Sequence, residues 1–212
     1  LYFQKGVCKV CERFCPTKAI DYEQKESFVE EEVGAIIVAT GYKLYDIGKL
    51  AEYGFGKSKY ILTGLQLERI VVNKVVGEKI AFEFTPKSAA IILCAGSRDE
   101  HALPYCCRFG CAAGLKHALY MKGLFGCSDV YLIYQDIRAF GKGYEAFYRR
   151  VRETGVKFIQ GKPSEIEVLS DGKIQVRVYN ASIDEVVELK VDTVILEVGI
   201  EPSDCLLYTS DA

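Results

Sequence analysis

Residues 89–111 read AAIILCAGSRDEHALPYCCRFGC, and this stretch decides the fold. Ala89 to Leu93 is a short, continuous apolar run, the pattern of a strand covered on both faces in a parallel sheet. In an α/β protein that holds a dinucleotide, such a strand opens a G-x-G-x-x-G turn whose glycines let the backbone approach a pyrophosphate. That cradle is absent. Cys94, Cys106, Cys107 and Cys111 stand in its place, and the chain then enters an amphipathic helix through Leu115, Leu119 and Met121. Little or no NAD(P) binding is expected from a loop without the glycines. Four thiols this close together suit an iron–sulfur site, the alternative being buried apolar thiols packed around a loop.

Downstream, the pattern predicts a strand at Val130 to Tyr134 and a helix from Tyr144 to about Thr154, in which Glu145 and Arg149 pair at i, i+4 before Gly155 closes it. Val156 to Ile159 reads as a short strand. Ser170-Asp171-Gly172 is a hairpin turn between Glu165–Leu169 and Lys173–Tyr179. Val186 to Val191 and Thr193 to Val198 are expected to finish the meander, and Gly199-Ile200-Glu201-Pro202 reads as a closing turn.

Upstream, Val33 to Val38 is another apolar run ending in Ala39-Thr40-Gly41, as expected of a buried strand entering a tight turn. Small residues at such a turn allow a flavin close to the backbone. Nearer the start, Cys8-x2-Cys11-x3-Cys15-Pro16 matches the last three cysteines of the bacterial ferredoxin run C-x2-C-x2-C-x3-C-P. The first cysteine would fall at position 5, where Lys5 stands. Three thiolates leave one iron of a cube without a protein ligand, so a stable cluster needs a further donor. The bland alternative is a set of buried thiols or a chance zinc site.

The chain has 212 residues, half of them hydrophobic, and a net charge of −2. That size can bury a sizeable core, and the charge gives no electrostatic reason to expect nucleic acid or an anionic membrane as partner. No membrane span or signal peptide is legible. Nine cysteines in tight clusters favour metal clusters over a disulfide framework, and with them a reducing, cytoplasmic setting. Leu1-Tyr2-Phe3-Gln4 resembles part of a protease-tag scar. Cys205 to Ala212 resembles a non-native tail, and Cys205 is set aside with it.

Taken together, Gly34-Ala35-Ile36-Ile37-Val38-Ala39-Thr40-Gly41-Tyr42, Cys94-Ala95-Gly96-Ser97-Arg98-Asp99, Tyr105-Cys106 and Asp136-Ile137-Arg138-Ala139-Phe140-Gly141-Lys142-Gly143-Tyr144-Glu145 resemble the flavin and iron–sulfur A-type polypeptide of the heterodisulfide reductases of methanogens and anaerobic bacteria. The last stretch is long and irregular, hence the most specific. The resemblance covers about residues 5 to 203. It implies an α/β fold, a fragment of a thioredoxin-reductase-like FAD/NAD(P)-binding (Rossmann-type) flavoprotein with an N-terminal ferredoxin-like remnant. Its parts would be 1–27, an incomplete ferredoxin-type [4Fe-4S] segment; 28–87, part of the FAD domain and crossover; 88–191, an NAD(P)-domain-like insert with the cysteine cluster; 192–203, the return to the FAD domain; and 204–212, the tail.

The resemblance also implies FAD and [4Fe-4S] clusters exchanging electrons, linked to flavin-based bifurcation. A two-electron donor is split at the flavin, one electron going to ferredoxin and the other toward disulfide reduction on a separate polypeptide. Implied partners are the other heterodisulfide reductase subunits, ferredoxin, and a hydrogenase or other electron donor. The FAD phosphate-binding unit would lie upstream of Leu1, so weak FAD binding and an inactive isolated fragment are expected.

By the same resemblance, Ala39, Thr40, Gly41 and Gly199 border the flavin. Lys116 matches a lysine near its reactive nitrogen, with a solvated helix lysine as the alternative. The iron ligands would be Cys8, Cys11 and Cys15, and separately Cys94, Cys106, Cys111 and the position now held by Gly110, for which Cys107 is the candidate substitute. The family pattern after the tyrosine is Y-C-S-x-x-C-C; here Cys107 takes the serine position and Gly110 replaces the first cysteine of the closing pair. Either Cys107 has become the fourth ligand, or the cluster is incomplete, three-iron or lost. Arg138 and Lys142 suggest a phosphate or acidic partner, or simply a basic loop tip. His101 and His117 read as ordinary surface or loop residues. Two rivals remain: a pyridine-nucleotide disulfide reductase, disfavoured because Cys8-x2-Cys11 is its only dithiol and the glycine cradle is missing, and a cofactor-less scaffold.

Overall fold

The computed structural model describes residues 6–79 and 82–203. They form two units, residues 1–39 and 40–212. The ends expected to be a tag scar and a non-native tail, with Lys5 and Cys205, lie outside the described residues.

The first unit carries one short helix, α1 (Val10–Phe14), with no buried residue. Its clearest local order surrounds Cys15. The backbone N–H of Ala19 donates to Cys15 Sγ at 3.4 Å, and the N–H of Lys18 donates to Cys15 O at 3.2 Å. The strand expected at Val33 to Val38 is not formed: residues 28–39 have no regular structure, and Ile36 and Ile37 are 80% and 92% exposed. An apolar run becomes a buried strand only where neighbouring strands take its backbone hydrogen bonds and other layers cover its faces.

The second unit is built on a five-stranded parallel sheet in the order β2-β9-β3-β4-β5. Its strands are β2 (Ile61–Thr63), β3 (Ser88–Ala95), β4 (Asp129–Tyr134), β5 (Lys157–Gln160) and β9 (Thr193–Val198). Three helices, α2 (Gly64–Val76), α3 (Gly110–Leu119) and α4 (Tyr144–Glu153), accompany it. The antiparallel meander of β6 (Pro163–Val168), β7 (Ile174–Asn180) and β8 (Glu185–Val191) accounts for the hairpin read at Ser170-Asp171-Gly172. Successive side chains of β3 point to opposite faces. Ala89, Ile91 and Leu93 pack with Leu67, Leu115 and Ala118 of the helices; Ala90 and Ile92 pack with Ile166, Ile174 and Val176 of the meander. Burial on both faces is why β3 reads as one unbroken apolar run. Glu145 and Arg149 pair as expected, at 2.9 Å.

Two expectations near the C-terminal end need correction. Thr193 to Val198 does not finish the meander. As β9 it lies between β2 and β3, parallel to both, with every residue buried. Nor do residues 199–202 make a turn. The Gly199 N–H donates to Ala95 O at 2.9 Å and Gly199 O accepts from the Tyr45 N–H at 2.9 Å. Ile200–Pro202 then continues as β10, antiparallel to β1 (Tyr42–Leu44). Backbone hydrogen bonds offered by neighbouring strands on both sides outweighed the local preference of Gly and Pro for a turn.

The β2–α2 junction is set by a capping box. Thr63 Oγ1 accepts from the Gln66 N–H at 3.3 Å while Gln66 Oε1 accepts from the Thr63 N–H at 2.8 Å. Loss of the reciprocal bond frees a helix-terminal N–H. Thr63→Ala is therefore expected to lower stability by about 1 kcal/mol, seen as a lower urea midpoint with an unchanged slope.

Candidate functional site

The β3–α3 connection brings the middle cysteines together. The β3–β9 register shifts between Ile92 and Ala95, and Cys94 takes a left-handed φ of 58° there, as do Arg98 (57°) and Arg108 (67°) further along the loop. Non-glycine residues occupy that region only under constraint, and such outliers gather at functional sites. The constraint is visible. Arg98 N–H donates to Tyr105 O at 3.1 Å, Ser97 Oγ donates to the same oxygen at 2.6 Å, and Tyr105 Oη donates to Ile200 O at 3.0 Å. These bonds fix Tyr105 and thereby Cys106 and Cys107, after which α3 begins at Gly110 with Cys111 in its first turn.

Cys94, Cys107 and Cys111 are buried and Cys106 is partly so; none is in a disulfide. Cys111 Sγ lies 3.6 Å from Asp136 O, and the Gly110 N–H points at Cys107 Sγ at 3.3 Å. A Cβ added to Gly110 would stand 2.9 Å from that same sulfur. Cys107 Sγ therefore fills the space a side chain at 110 would need. Burial, followed by the neighbouring Cys111, pushes the Cys94 thiol up to about 11, against the opposing pull of Arg98. Cys111 is raised by burial first, with Cys107 and Cys106 adding to it. The four sulfurs thus lie within electrostatic reach of one another. Among the described residues, however, no three His, Cys, Asp or Glu side chains stand close enough together to hold a metal ion as arranged.

The donor set still suits an iron–sulfur group in kind. Arg98 forms an ion pair with Asp136 at 2.7 Å, yet its Nη1 is buried without a partner. An orphaned guanidinium nitrogen beside Cys94 fits a more negative neighbour than four neutral thiols.

One turn further along α3, Lys116 and His117 enter a second cluster. Lys116 Nζ pairs with Glu68 Oε1 of α2. The same oxygen lies 2.8 Å from His117 Nε2, and His117 Nδ1 lies 2.5 Å from Glu197 Oε1 of β9. His117 is 2% exposed and Glu197 5%. Burial alone would lower the imidazole; the hydrogen bonds and charges of Glu197, then Glu68, outweigh it and raise His117 above its ordinary value. Glu68 is itself desolvated, but Lys116 and His117 hold its carboxyl below the usual range. Space for the cluster comes from glycine: a Cβ at Gly64 would lie 2.7 Å from Glu197 Oε2 and 3.0 Å from His117 Cε1. Glu68, Lys116, His117 and Glu197 line a cavity of about 320 Å³ together with Tyr42, Leu44, Leu65 and Phe109.

His117 is thus no surface or loop residue, contrary to the sequence reading. The missed signal was Glu197. A carboxylate inside the otherwise apolar run Thr193 to Val198 has to find a buried partner. The remaining candidates are more dispersed. Thr40 and Gly41 are exposed, Gly41 with φ 74° and open space around it. Ala39 ends the first unit, which also holds Cys8, Cys11 and Cys15. Gly199 is closely packed: an added Cβ would lie 2.9 Å from Leu103 and 3.0 Å from Gly96 O. Arg138 pairs with Asp136 at 3.5 Å.

Comparison with known proteins bears on the whole chain. No family model matches it. The A-type polypeptide of the ferredoxin/F420H2-dependent CoB-CoM heterodisulfide reductase of Methanosarcina acetivorans is 43% identical over 201 residues, covering 92% of this chain and 25% of that protein. Its counterpart in the H2:CoB-CoM heterodisulfide,ferredoxin reductase of Methanothermobacter thermautotrophicus is 41% identical over 209 residues, 93% of this chain and 31% of its own length. The corresponding iron-sulfur polypeptide of the CoB–CoM heterodisulfide reductase of Methanocaldococcus jannaschii is 39% identical over 204 residues, with 92% and 31% covered. Among solved structures, the thioredoxin reductase of T. acidophilum aligns with a TM-score of 0.47 at 14% identity, over 80% of this chain and 45% of that one. The chain spans about a quarter to a third of the curated relatives it matches. Over more than nine-tenths of its length the chain is thus similar to a section of the heterodisulfide reductase A-type polypeptides.

Proposed function

We propose that this chain is an electron-transfer section of a heterodisulfide-reductase-type oxidoreductase. In this reading Cys94, Cys106, Cys107 and Cys111 ligate a [4Fe-4S] cluster, and the cavity beside Lys116 takes the ring of FAD, with Thr40, Gly41 and Gly199 bordering the cofactor. What supports it is that Cys94 at the end of β3, Cys106 and Cys107 in the loop that follows, and Cys111 in the first turn of α3 all lie on the one connection leading into the helix that carries Lys116. Flavin supplies the conversion between two-electron and one-electron chemistry. The chain's residues then have defined tasks. The thiols lose their protons on ligation, Arg98 offsets the negative charge, and Lys116 presents a cation to the cavity. Cys8, Cys11 and Cys15 serve a second cluster with one further donor.

The relatives' names point to ferredoxin, H2-derived electrons and the CoB-CoM heterodisulfide. For this chain we accordingly propose other heterodisulfide reductase subunits, ferredoxin and a hydrogenase or other donor as partners, electron bifurcation at the flavin, a cytoplasmic setting and no activity in isolation. No helix among the described residues is long and apolar enough to cross a membrane. A cofactor-less scaffold is the second reading, favoured by the open spacing of the thiols.

Anaerobic reconstitution with iron, sulfide and FAD separates them. About four irons and four sulfides at the middle cysteines, with a reduced-state electron paramagnetic resonance signal, are expected; protein free of both iron and flavin would leave the scaffold.

A further inference from the structure

A buried, doubly clasped histidine behind a half-exposed lysine is more than the proposed electron-transfer role requires. Lys116 is 43% exposed at the cavity wall, Glu68 is 30% exposed, and His117, 2% exposed, lines the same cavity. One oxygen, Glu68 Oε1, contacts both Lys116 Nζ and His117 Nε2. The other ring nitrogen faces Glu197 at 2.5 Å. We infer that His117 stores a proton for the cavity and passes it to Lys116 through the Glu68 carboxylate.

The cluster is built for this. Two cations and two anions balance, so the stored proton does not leave a net charge buried. Glu197 holds the inner nitrogen and is 5% exposed, against 30% for Glu68. Glu68 has one face on the cluster and one toward solvent. The other neighbour on the same helix face is Tyr120, its ring 6.1 Å from that of His117 and 5.7 Å below Lys116 Nζ. The groups facing His117 are therefore Lys116, Tyr120, Glu68 and Glu197.

The use of this proton rests on the flavin reading. Were FAD bound in the cavity and given two electrons by one-electron iron–sulfur carriers, it would take up one proton, which these residues would supply. The proton leaves Lys116 Nζ, Glu68 returns one to Lys116, and Glu68 takes its own from His117 Nε2. The cluster is then one proton short and regains it from water through Glu68.

The relay can be tested without any ligand. In the isotopically labelled 212-residue chain, NMR would follow exchange with water of the two His117 ring N–H groups, with amides of β3 and β9 reporting global opening. The Nε2 proton is expected to exchange roughly tenfold or more faster than the Nδ1 proton and the core amides. Glu68→Gln, which cannot relay a proton through a carboxylate, should abolish that difference; Lys116→Met should leave it standing, because solvent still reaches Glu68. Ring protons that exchange together, at the rate of the core amides, in the unsubstituted chain would overturn the relay and leave His117 a structural cross-link. Failure of FAD to bind would remove the flavin reading of the cavity and not this result.

Discussion

Glu197→Leu is expected to cost the fold about 3–5 kcal/mol, the range for removing one partner of a buried ion pair, measured as a fall in urea midpoint. Glu197 is 5% exposed in the central part of the parallel sheet, and the group it holds, His117, is 2% exposed. Leucine would leave the imidazole with Glu68 alone and an unsatisfied Nδ1. Replacing both partners, as Glu197→Leu with His117→Leu, should recover much of the loss, since two apolar side chains leave no buried charge unpaired. A cost for the single variant below about 1 kcal/mol would show that the two groups do not meet in the core.

The pH dependence follows from the directions of the shifts. His117 is raised from 6.5, so its contribution is complete below about 6.5 and is lost as pH rises through the higher folded value. Glu68 is lowered from 4.5, so its contribution is complete above about 4.5 and is lost as pH falls through the lower folded value. Both are complete between about pH 4.5 and 6.5. The deficit of Glu197→Leu should accordingly be largest below about pH 6.5 and shrink as the pH is raised, because a neutral imidazole has less to lose.

Elements whose patterns express burial were legible. β3 reads as an apolar run because both its faces are covered, and the 165–179 hairpin reads from Ser170-Asp171-Gly172. What could not be read were choices made by distant partners. Val33 to Val38 has the composition of a buried strand and is exposed; Thr193 to Val198 looks like one more meander strand and is inserted between β2 and β3. Periodicity reports what a segment wants to bury and is silent on which edge accepts it. The site divided in the same way. The cysteines announce themselves by spacing. The imidazole between two carboxylates joins residues 68, 117 and 197, and only the lone charge in β9 betrayed it.

Transferring a thiol from position 107 to position 110 is expected to transfer the iron with it. Under the proposed reading, Cys107→Ser loses a cluster ligand, and reconstituted protein should fall from about four irons toward three or none at this site. Gly110→Cys on the unsubstituted background adds a Cβ 2.9 Å from Cys107 Sγ, an overpacking expected to cost roughly 1–3 kcal/mol. The same substitution combined with Cys107→Ser should be better tolerated, because the smaller hydroxyl oxygen relieves that contact. It should also restore iron, since the new sulfur departs from the spot Cys107 Sγ fills and the N-terminal turn of α3 already places position 110 beside Cys111. Iron content unchanged in Cys107→Ser would show that this sulfur is packing rather than a ligand, and that the space at Gly110 is filled for the core's sake alone. Rescue by Gly110→Cys cannot be explained by packing, because the double variant repairs the donor set while leaving the small side chain at 107.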